Sequence, residues 1–178
     1  YLALEQQRMS KMILQWLEVE KQRPSFEVIN TEQKVTMNFG DLKISLSLDR
    51  LDKVQDQSVV IDYKTGNVSS SAWHGERPKD PQLPLYVLAS EPKPEGCFFG
   101  HLKGTKFKYI GLSKDPIITG LKPVGDWQLQ IDEWQTAINQ LAHEFIQGKA
   151  SVIKYHDSEF NYQTELLPLN RWHERNDV

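Results

Sequence analysis

The order of apolar and polar residues along the chain predicts a helix, strands, a helix, strands and a last helix. The first stretch repeats apolar residues at helical spacing, and we interpret residues 1–22 as a helix that Pro24 ends. Its apolar positions are Leu2, Met9, Met12, Ile13, Trp16 and Leu17. A second helical pattern covers residues 127–148 and ends at a glycine. One face of that helix carries Trp127, Ile131, Trp134, Ile138, Leu141 and Phe145, and we expect Trp127, Trp134 and Phe145 in the core.

The strand signals lie between these two helices. Residues 42–49 alternate apolar and polar side chains, which is the clearest strand pattern in the sequence. FEVINTE and VTMNF precede it as separate strands, and VVIDYK follows the polar turn DKVQDQ, so we expect a three- or four-stranded meander. GCFFGHLK and KFKYIGLS predict two later strands, and PQLPLYVLAS predicts a helix that begins near Pro81. This order predicts an α/β (α+β) domain with a mixed central β-sheet flanked by helices.

We expect a single domain over residues 1–178, with a sheet core at 26–113 and an irregular tail at 151–178. Because the chain begins with Tyr1 inside a helical pattern, we interpret it as a fragment of a longer protein. Hydrophobic residues at 39% and charged residues at 25% are typical of a soluble globular protein. No apolar run is long enough to span a membrane, and there is no signal-peptide pattern, so no membrane partner is expected.

The cysteine count and the net charge exclude several classes of site. Cys97 is the one cysteine, which excludes an internal disulfide framework and any Cys-rich zinc or iron–sulfur site, and favours a reducing, intracellular setting. A formal net charge of −3 gives the chain no overall attraction to nucleic acid, so such binding must be local or delegated. Cys97 itself is most simply a small core residue.

Two aspartates and a lysine form the strongest candidate site. Asp49 and Asp62 lie on strands that pair if DKVQDQ is a hairpin turn, and both carboxylates then reach one point. Their repulsion is relieved by a divalent cation, and carboxylates with waters are what Mg²⁺ prefers. Lys64, beside Asp62, can hold an attacking water or stabilise charge on a phosphoryl oxygen. Taken alone, however, Asp62 and Lys64 are more typical of a weak surface ion pair.

Two further groups carry candidate chemistry and also have plainer interpretations. Gln82 and Tyr86 are four apart and share a helix face, where they could face a phosphate or belong to an ordinary amphipathic helix. The loop between Lys64 and Gln82 carries Trp73, Arg77 and Lys79, which would suit contacts with nucleic-acid bases and backbone. Solvated loops often have the same composition.

The segments SLDRLD, VVIDYKTG and DPQLPLY, in this order, resemble motifs of a known nuclease group. They are similar to the nuclease domain of the RecB-type branch of the PD-(D/E)xK superfamily. That branch includes the RecB and AddB nucleases of recombination and repair, CRISPR adaptation nucleases, and bacterial DNA-repair chains with a C-terminal nuclease domain. The resemblance is good over about residues 16–90. It implies a restriction-endonuclease-like sheet and a cytoplasmic, DNA-associated bacterial protein.

The resemblance also implies roles for individual residues. Asp49 and Asp62 would be metal ligands, with the backbone carbonyl of Tyr63 completing the coordination, and Lys64 would be the catalytic lysine. Glu32 stands where relatives often have a glutamate and is a weaker metal-site candidate.

The third motif is present, whereas two features common among relatives are absent from the given sequence. Gln82 and Tyr86 would be the supporting pair of the QxxxY motif. Relatives usually carry a metal-binding histidine on a helix before the first strand, whereas the first histidine here is His74, so we expect that helix upstream of Tyr1. Many relatives also end in a cysteine cluster that binds an iron–sulfur centre. Asn170 stands where such a cysteine might be, and no iron–sulfur cluster is expected.

The sequence therefore predicts a Mg²⁺- or Mn²⁺-dependent deoxyribonuclease of DNA repair or recombination, with exonuclease action expected. Its partners would be DNA, bound without sequence specificity, and helicase-like or other repair subunits or domains. A catalytically inactive nuclease-like module that binds DNA or protein is the alternative, although the intact Asp49, Asp62 and Lys64 argue against it. A structural domain with an accidental motif match is the third interpretation.

Overall fold

The computed structural model describes residues 2–104 and 106–149, and the predicted tail with Asn170 lies outside these residues. The predicted order of helices and strands is confirmed over this range. The elements in chain order are α1 (Leu2–Glu20), β1 (Phe26–Phe39), β2 (Leu42–Val54), β3 (Gln57–Lys64), a 3₁₀ turn (Ser70–Trp73), α2 (Gln82–Ala89), β4 (Gly96–His101), β5 (Lys108–Ser113) and α3 (Trp127–Ile146). No helix among the described residues is long and apolar enough to cross a membrane.

The five strands form one mixed sheet in the order β1-β2-β3-β4-β5. Strands β1, β2 and β3 are antiparallel neighbours, and β4 and β5 are a second antiparallel pair. Strands β3 and β4 are parallel, and α2 lies in the crossover between them, as parallel strands require. This mixed sheet with flanking helices confirms the predicted fold class.

Two short turns build the antiparallel part of the sheet. Gly40 and Asp41 join β1 to β2, and Gly40 has a φ of 57°, a conformation that glycine adopts without strain. Gln55 and Asp56 join β2 to β3. The prediction that FEVINTE and VTMNF are separate strands is wrong, because Phe26–Phe39 is one strand with a register irregularity near its start. Polar residues interrupt its apolar pattern, but backbone pairing with β2 continues across them.

The sheet has a hydrophobic cluster on each face. In β3, Val60 packs into one cluster, whereas Val59 and Ile61 pack into the other, as alternation along a strand requires. The first cluster contains side chains from α2 and α3, and the second contains Trp16 of α1. Cys97 is fully buried in the first cluster, and burial raises the pKa of its thiol, which agrees with its predicted place in the core.

The core prediction for the long helix is corrected in part. On α3 the predicted core residues Trp127 and Trp134 are buried, and so are Ile131 and Ile138, whereas the prediction for Phe145 is wrong because it is exposed. Helical spacing reports that a face is apolar and does not report what covers it. On α1, Trp16 is the one buried residue of the apolar positions, whereas Leu2, Met9, Ile13 and Leu17 are exposed.

The chain divides into two compact units, Tyr1–His143 and Glu144–Val178. The first unit contains the whole sheet and all the candidate residues between Glu32 and Tyr86. The described part of the second unit is the end of α3 and residues 147–149.

Candidate active site

The hairpin of β2 and β3 brings the two predicted aspartates together. Arg50 pairs with Ile61 in the antiparallel register, and Asp49 and Asp62 are the next residues outward on the two strands. An oxygen of Asp49, Oδ2, accepts a hydrogen bond from the backbone N–H of Tyr63 at 3.0 Å. Asp62 is almost fully buried and Asp49 is half-buried. The hairpin therefore places one carboxylate at the base of the site and the other at its rim.

Lys64 joins this pair to helix α2. Its Nζ lies 2.7 Å from Oδ2 of Asp62 as an ion pair and donates a hydrogen bond of 2.7 Å to Oε1 of Gln82. The amide nitrogen of Gln82 donates in turn to Oδ1 of Asp62 at 2.9 Å. These contacts close a ring of Asp62, Lys64 and Gln82, so each of the three side chains fixes the other two.

Tyr86 anchors this ring to strand β2. Gln82 and Tyr86 lie one turn apart on α2, and the amide nitrogen of Gln82 is 2.7 Å from the Tyr86 hydroxyl. That hydroxyl donates to the backbone carbonyl of Ser47, two residues before Asp49. The structure therefore brings together Asp49, Asp62, Lys64, Gln82 and Tyr86, which the sequence selected as catalytic candidates.

Burial and like charges act on the carboxylate of Asp62. Burial raises its pKa, the contacts with Lys64 oppose that rise, and the charges of Asp49 and Asp80 add to it. Burial disfavours the charged form of Lys64, but Asp62 and then Asp80 and Asp49 outweigh it and raise the lysine pKa. Lys64 is thus an ammonium at neutral pH.

Asp80 is a third acidic residue at the site that the sequence analysis did not select. Its Oδ1 accepts from the backbone N–H of Gln82 at 3.4 Å, and its charge acts on both Asp62 and Lys64. The signal was present in the sequence, because Asp80 directly precedes the PQLPLY segment. The carboxylates of Asp62, Asp80 and Asp49 thus all act on the ammonium of Lys64.

The donor set of this site suits a hard divalent cation. Oδ2 of Asp62 is buried and has no hydrogen bond; its contact is the ion pair with Lys64. The like charges of Asp49 and Asp80 act on Asp62, a bound cation would relieve this repulsion, and oxygen is the donor that Mg²⁺ and Mn²⁺ prefer. Within residues 2–104 and 106–149 no group of three or more His, Cys, Asp or Glu side chains forms a metal cluster. A cation here would therefore need donors besides the side chains, such as water or a backbone carbonyl.

Glu32 is the weaker metal candidate, and it lies outside the hydrogen-bonded ring. It is exposed on β1 with a φ of 52°, a left-handed conformation that is uncommon for a residue with a side chain. Its charge is not among those that shift the pKa of Asp62 or Lys64. A role for Glu32 in metal binding stays a prediction.

The loop prediction for Trp73 is wrong. Trp73 is fully buried, its ring centroid lies 5.1 Å from that of Phe99, and its backbone carbonyl accepts from the indole of Trp134 at 3.0 Å. Burial of a large apolar ring stabilises the fold. Because the Trp73 ring is buried, it is inaccessible to a nucleic-acid base. Arg77 is half-buried and Lys79 is exposed. A role for these two residues in nucleic-acid binding stays a prediction.

A second group of charges lies on the opposite face of the same strands. We call Glu20, Arg23, Arg50 and Asp52 the buried ionic cluster. Arg50 binds both oxygens of Asp52 at 2.6 and 2.8 Å. Arg23 lies 2.8 Å from Asp52 and 3.0 Å from Glu20. The sequence analysis missed this cluster, because alternation assigns charged residues to a solvated face.

Comparisons with known proteins address the family of the chain. A family model described as the PD-(D/E)XK nuclease superfamily matches residues 1–160. No curated protein gives a significant match. Among solved structures, the chain is similar to one titled "Crystal structure of SSO0001", with 14% sequence identity and a TM-score of 0.36. The match covers 84% of this chain and 63% of that one, so the chain spans less than two thirds of the length of that protein.

Proposed function

Since the chain belongs to the PD-(D/E)XK nuclease superfamily, we propose that it is a Mg²⁺- or Mn²⁺-dependent deoxyribonuclease of DNA repair or recombination. The observation that supports this proposal is the convergence of Asp49, Asp62 and Lys64 at one end of the β2–β3 hairpin. Carboxylates whose like charges act on the buried Asp62 attract a divalent cation and serve little structural purpose.

The chain offers three groups that would hold the cation. These are the carboxylates of Asp49 and Asp62 and the backbone carbonyl of Tyr63, which lies between Asp62 and Lys64 in the sequence. A divalent cation supplies Lewis-acid stabilisation of phosphate charge and lowers the pKa of a bound water. The hydrogen bond from Tyr63 N–H to Asp49 leaves the second oxygen of that carboxylate for coordination.

Lys64 acts as a cationic donor in this proposal. Because Asp62 raises its pKa, Lys64 keeps its proton at neutral pH and can donate it in a hydrogen bond. It can orient an attacking water for in-line displacement at the phosphorus, or stabilise charge on a phosphoryl oxygen. Gln82 fixes the ammonium through its side-chain oxygen, and Tyr86 holds Gln82 in place. Orientation of this kind lowers the entropic part of the barrier.

We further propose a RecB/AddB-type bacterial enzyme that acts in the cytoplasm on DNA of any sequence, as an exonuclease. The net charge of −3 favours delivery of the DNA by helicase-like or other repair partners, because the chain has no overall attraction for phosphates. The motif order of SLDRLD, VVIDYKTG and DPQLPLY supports this branch.

The test compares wild-type protein with Asp62→Ala on linear and circular DNA, with Mg²⁺, with Mn²⁺ and with EDTA. We expect metal-dependent cleavage by the wild type and none by Asp62→Ala, with linear DNA preferred if the action is exonucleolytic. Asp56→Ala, at an exposed turn position on the same hairpin, is the matched control and should cleave like the wild type.

Cleavage that persists in Asp62→Ala would contradict the assigned site. DNA binding by the wild type without cleavage in either metal would favour the catalytically inactive module instead.

A further inference from the structure

The side chain of Tyr63 connects the candidate site to the buried ionic cluster. Tyr63 lies between Asp62 and Lys64 on β3, so its side chain points to the opposite face of the sheet. There its hydroxyl accepts a hydrogen bond of 2.8 Å from Arg50. We propose that Arg50 is a positioning residue, which acts through the Tyr63 hydroxyl to fix the backbone that carries Asp62 and Lys64. This inference rests on the proposed nuclease function.

Arg50 is itself held rigidly. Two of its nitrogens form a fork on the carboxylate of Asp52, at 2.6 and 2.8 Å, and Asp52 is fully buried. The guanidinium plane is thereby fixed, and its third nitrogen, Nη1, points to Tyr63. A planar fork is suited to this task, because it loses less conformational entropy per hydrogen bond than a lysine would.

The rest of the buried ionic cluster ties this fork to helix α1. Glu20, at the end of α1, lies 3.3 Å from Nη2 of Arg50 and also pairs with Arg23. Arg23 pairs in turn with Asp52. The position of the Arg50 side chain is therefore set by α1 and β2 together. Its side chain contacts β3 through the Tyr63 hydroxyl.

The Tyr63 ring has little freedom to move. Its ring lies edge-to-face with Trp16 of α1, with centroids 5.6 Å apart. On β4, a Cβ added to Gly100 would lie 2.6 Å from Cδ1 of Tyr63, so the ring packs directly against the glycine backbone. The backbone N–H of Tyr63 orients the Asp49 carboxylate. A shift of Tyr63 would thus move Asp49, Asp62 and Lys64 relative to one another.

A purely structural role of the cluster makes a different prediction, which a second tyrosine tests. Tyr109 also places its hydroxyl in the buried ionic cluster, where it contacts Glu20 and accepts from Arg23 at 3.1 Å. Tyr109 lies on β5, away from the catalytic strand in the sheet order. If the cluster only stabilises the fold, loss of either hydroxyl should have the same effect.

The experiment compares Tyr63→Phe with Tyr109→Phe by three measurements: the melting temperature, the Mn²⁺ affinity by calorimetry without DNA, and kcat and KM on linear DNA. We expect similar small decreases of the melting temperature in both variants. Tyr63→Phe should also lose about tenfold in Mn²⁺ affinity and in kcat with little change in KM, as for groups that orient metal ligands. Tyr109→Phe, whose hydroxyl contacts Glu20 and Arg23 and not Arg50, should change both less than Tyr63→Phe.

A double-mutant cycle identifies the donor. If Arg50 acts through the hydroxyl, Arg50→Lys combined with Tyr63→Phe should lower kcat no further than the larger single change. If the double variant instead lowers kcat by the product of the two single effects, the coupling is overturned. Active wild-type protein with equal Mn²⁺ affinity and kcat in the two tyrosine variants overturns the positioning role alone. Wild-type protein without metal-dependent cleavage or Mn²⁺ binding overturns the proposed function, and the positioning role with it.

Discussion

The two charged groups on opposite faces of β2 and β3 are built from similar residues but differ in exposure and in the charges that act on them. The buried ionic cluster has two carboxylates and two guanidiniums, and each of these four side chains is at most 13% exposed. At the candidate active site the like charges of Asp49 and Asp80 act on the buried carboxylate of Asp62, and the lysine is 31% exposed. A closed set of paired charges is typical of structure, whereas like charges gathered at an accessible site are typical of ligand binding.

The choice of base follows the same division. Arginines supply the cluster, where the planar guanidinium binds a carboxylate through two parallel hydrogen bonds. Lysine supplies the site, where a flexible stem and three rotatable donors allow the ammonium to exchange one oxygen partner for another. Lys64 in its present contacts with Asp62 and Gln82 can therefore turn toward a phosphate or a water without breaking a fork.

The largest expected effect is on catalysis, from Lys64→Met. Loss of the ammonium removes the charge that stabilises the transition state, so we expect kcat on DNA to fall by at least about 100-fold. The melting temperature should also fall, because Lys64 is the ion-pair partner of the buried Asp62 carboxylate, so kcat is compared at a temperature well below it. Lys53→Met, at an exposed position on β2, is the control and should cleave normally. A Lys64→Met variant with normal kcat would contradict a catalytic role for the candidate active site.

The largest expected effect on stability comes from Arg23→Met in the buried ionic cluster. Removal of one partner leaves buried carboxylates uncompensated, which costs about 3–5 kcal/mol in the free energy of unfolding. Urea denaturation measures this change. Lys21→Met is the control: Lys21 pairs with Glu18 at 2.6 Å, but both side chains are exposed, and no measurable loss is expected. Equal stability of the two variants would contradict a structural role for the cluster.

The smallest expected effect is a gain of stability from Asp62→Asn. Burial raises the pKa of Asp62 in the folded state, so its ionised form is disfavoured there. A group with a raised folded pKa contributes stability below its unfolded pKa, about 3.9, and loses that contribution as pH rises through the folded value. In EDTA at pH 7, Asp62→Asn should therefore melt above the wild type.

The difference in melting temperature should shrink as pH falls through the raised pKa of folded Asp62 and approach zero below about 4, where the wild-type carboxyl is protonated in both states. Asp56→Asn, at an exposed turn position, should track the wild type at every pH. A lower melting temperature for Asp62→Asn at pH 7 would contradict the inference that the ionised Asp62 is disfavoured in the folded state.

Local patterns predicted the parts of the site that depend on neighbours in sequence. Alternation and a polar turn indicated the β2–β3 hairpin, and hence the approach of Asp49 to Asp62. Helical spacing indicated that Gln82 and Tyr86 share a face. These patterns do not show whether each face contacts solvent or another part of the protein. Trp73 was therefore assigned to solvent although it is core.

The same limit explains the missed cluster and the overestimated burial of Phe145. Charged residues such as Arg50 and Asp52 are interpreted as solvated until their partners from α1 are placed beside them. Conversely, helical spacing places Phe145 on the same face as Trp127 and Trp134, but it is exposed. Tertiary partners decide burial, and a single sequence carries no direct record of them.

The turn at Gln55 and Asp56 has a consequence for how the site assembles during folding. A short loop has a small closure entropy, so the β2–β3 hairpin can form early and on a microsecond timescale. That event already brings two like charges together. Gln82 arrives only with the parallel crossover to β4, whose longer loop closes later. Because Lys64 arrives on the same strand as Asp62, we expect its ammonium to offset their repulsion before Gln82 is in place.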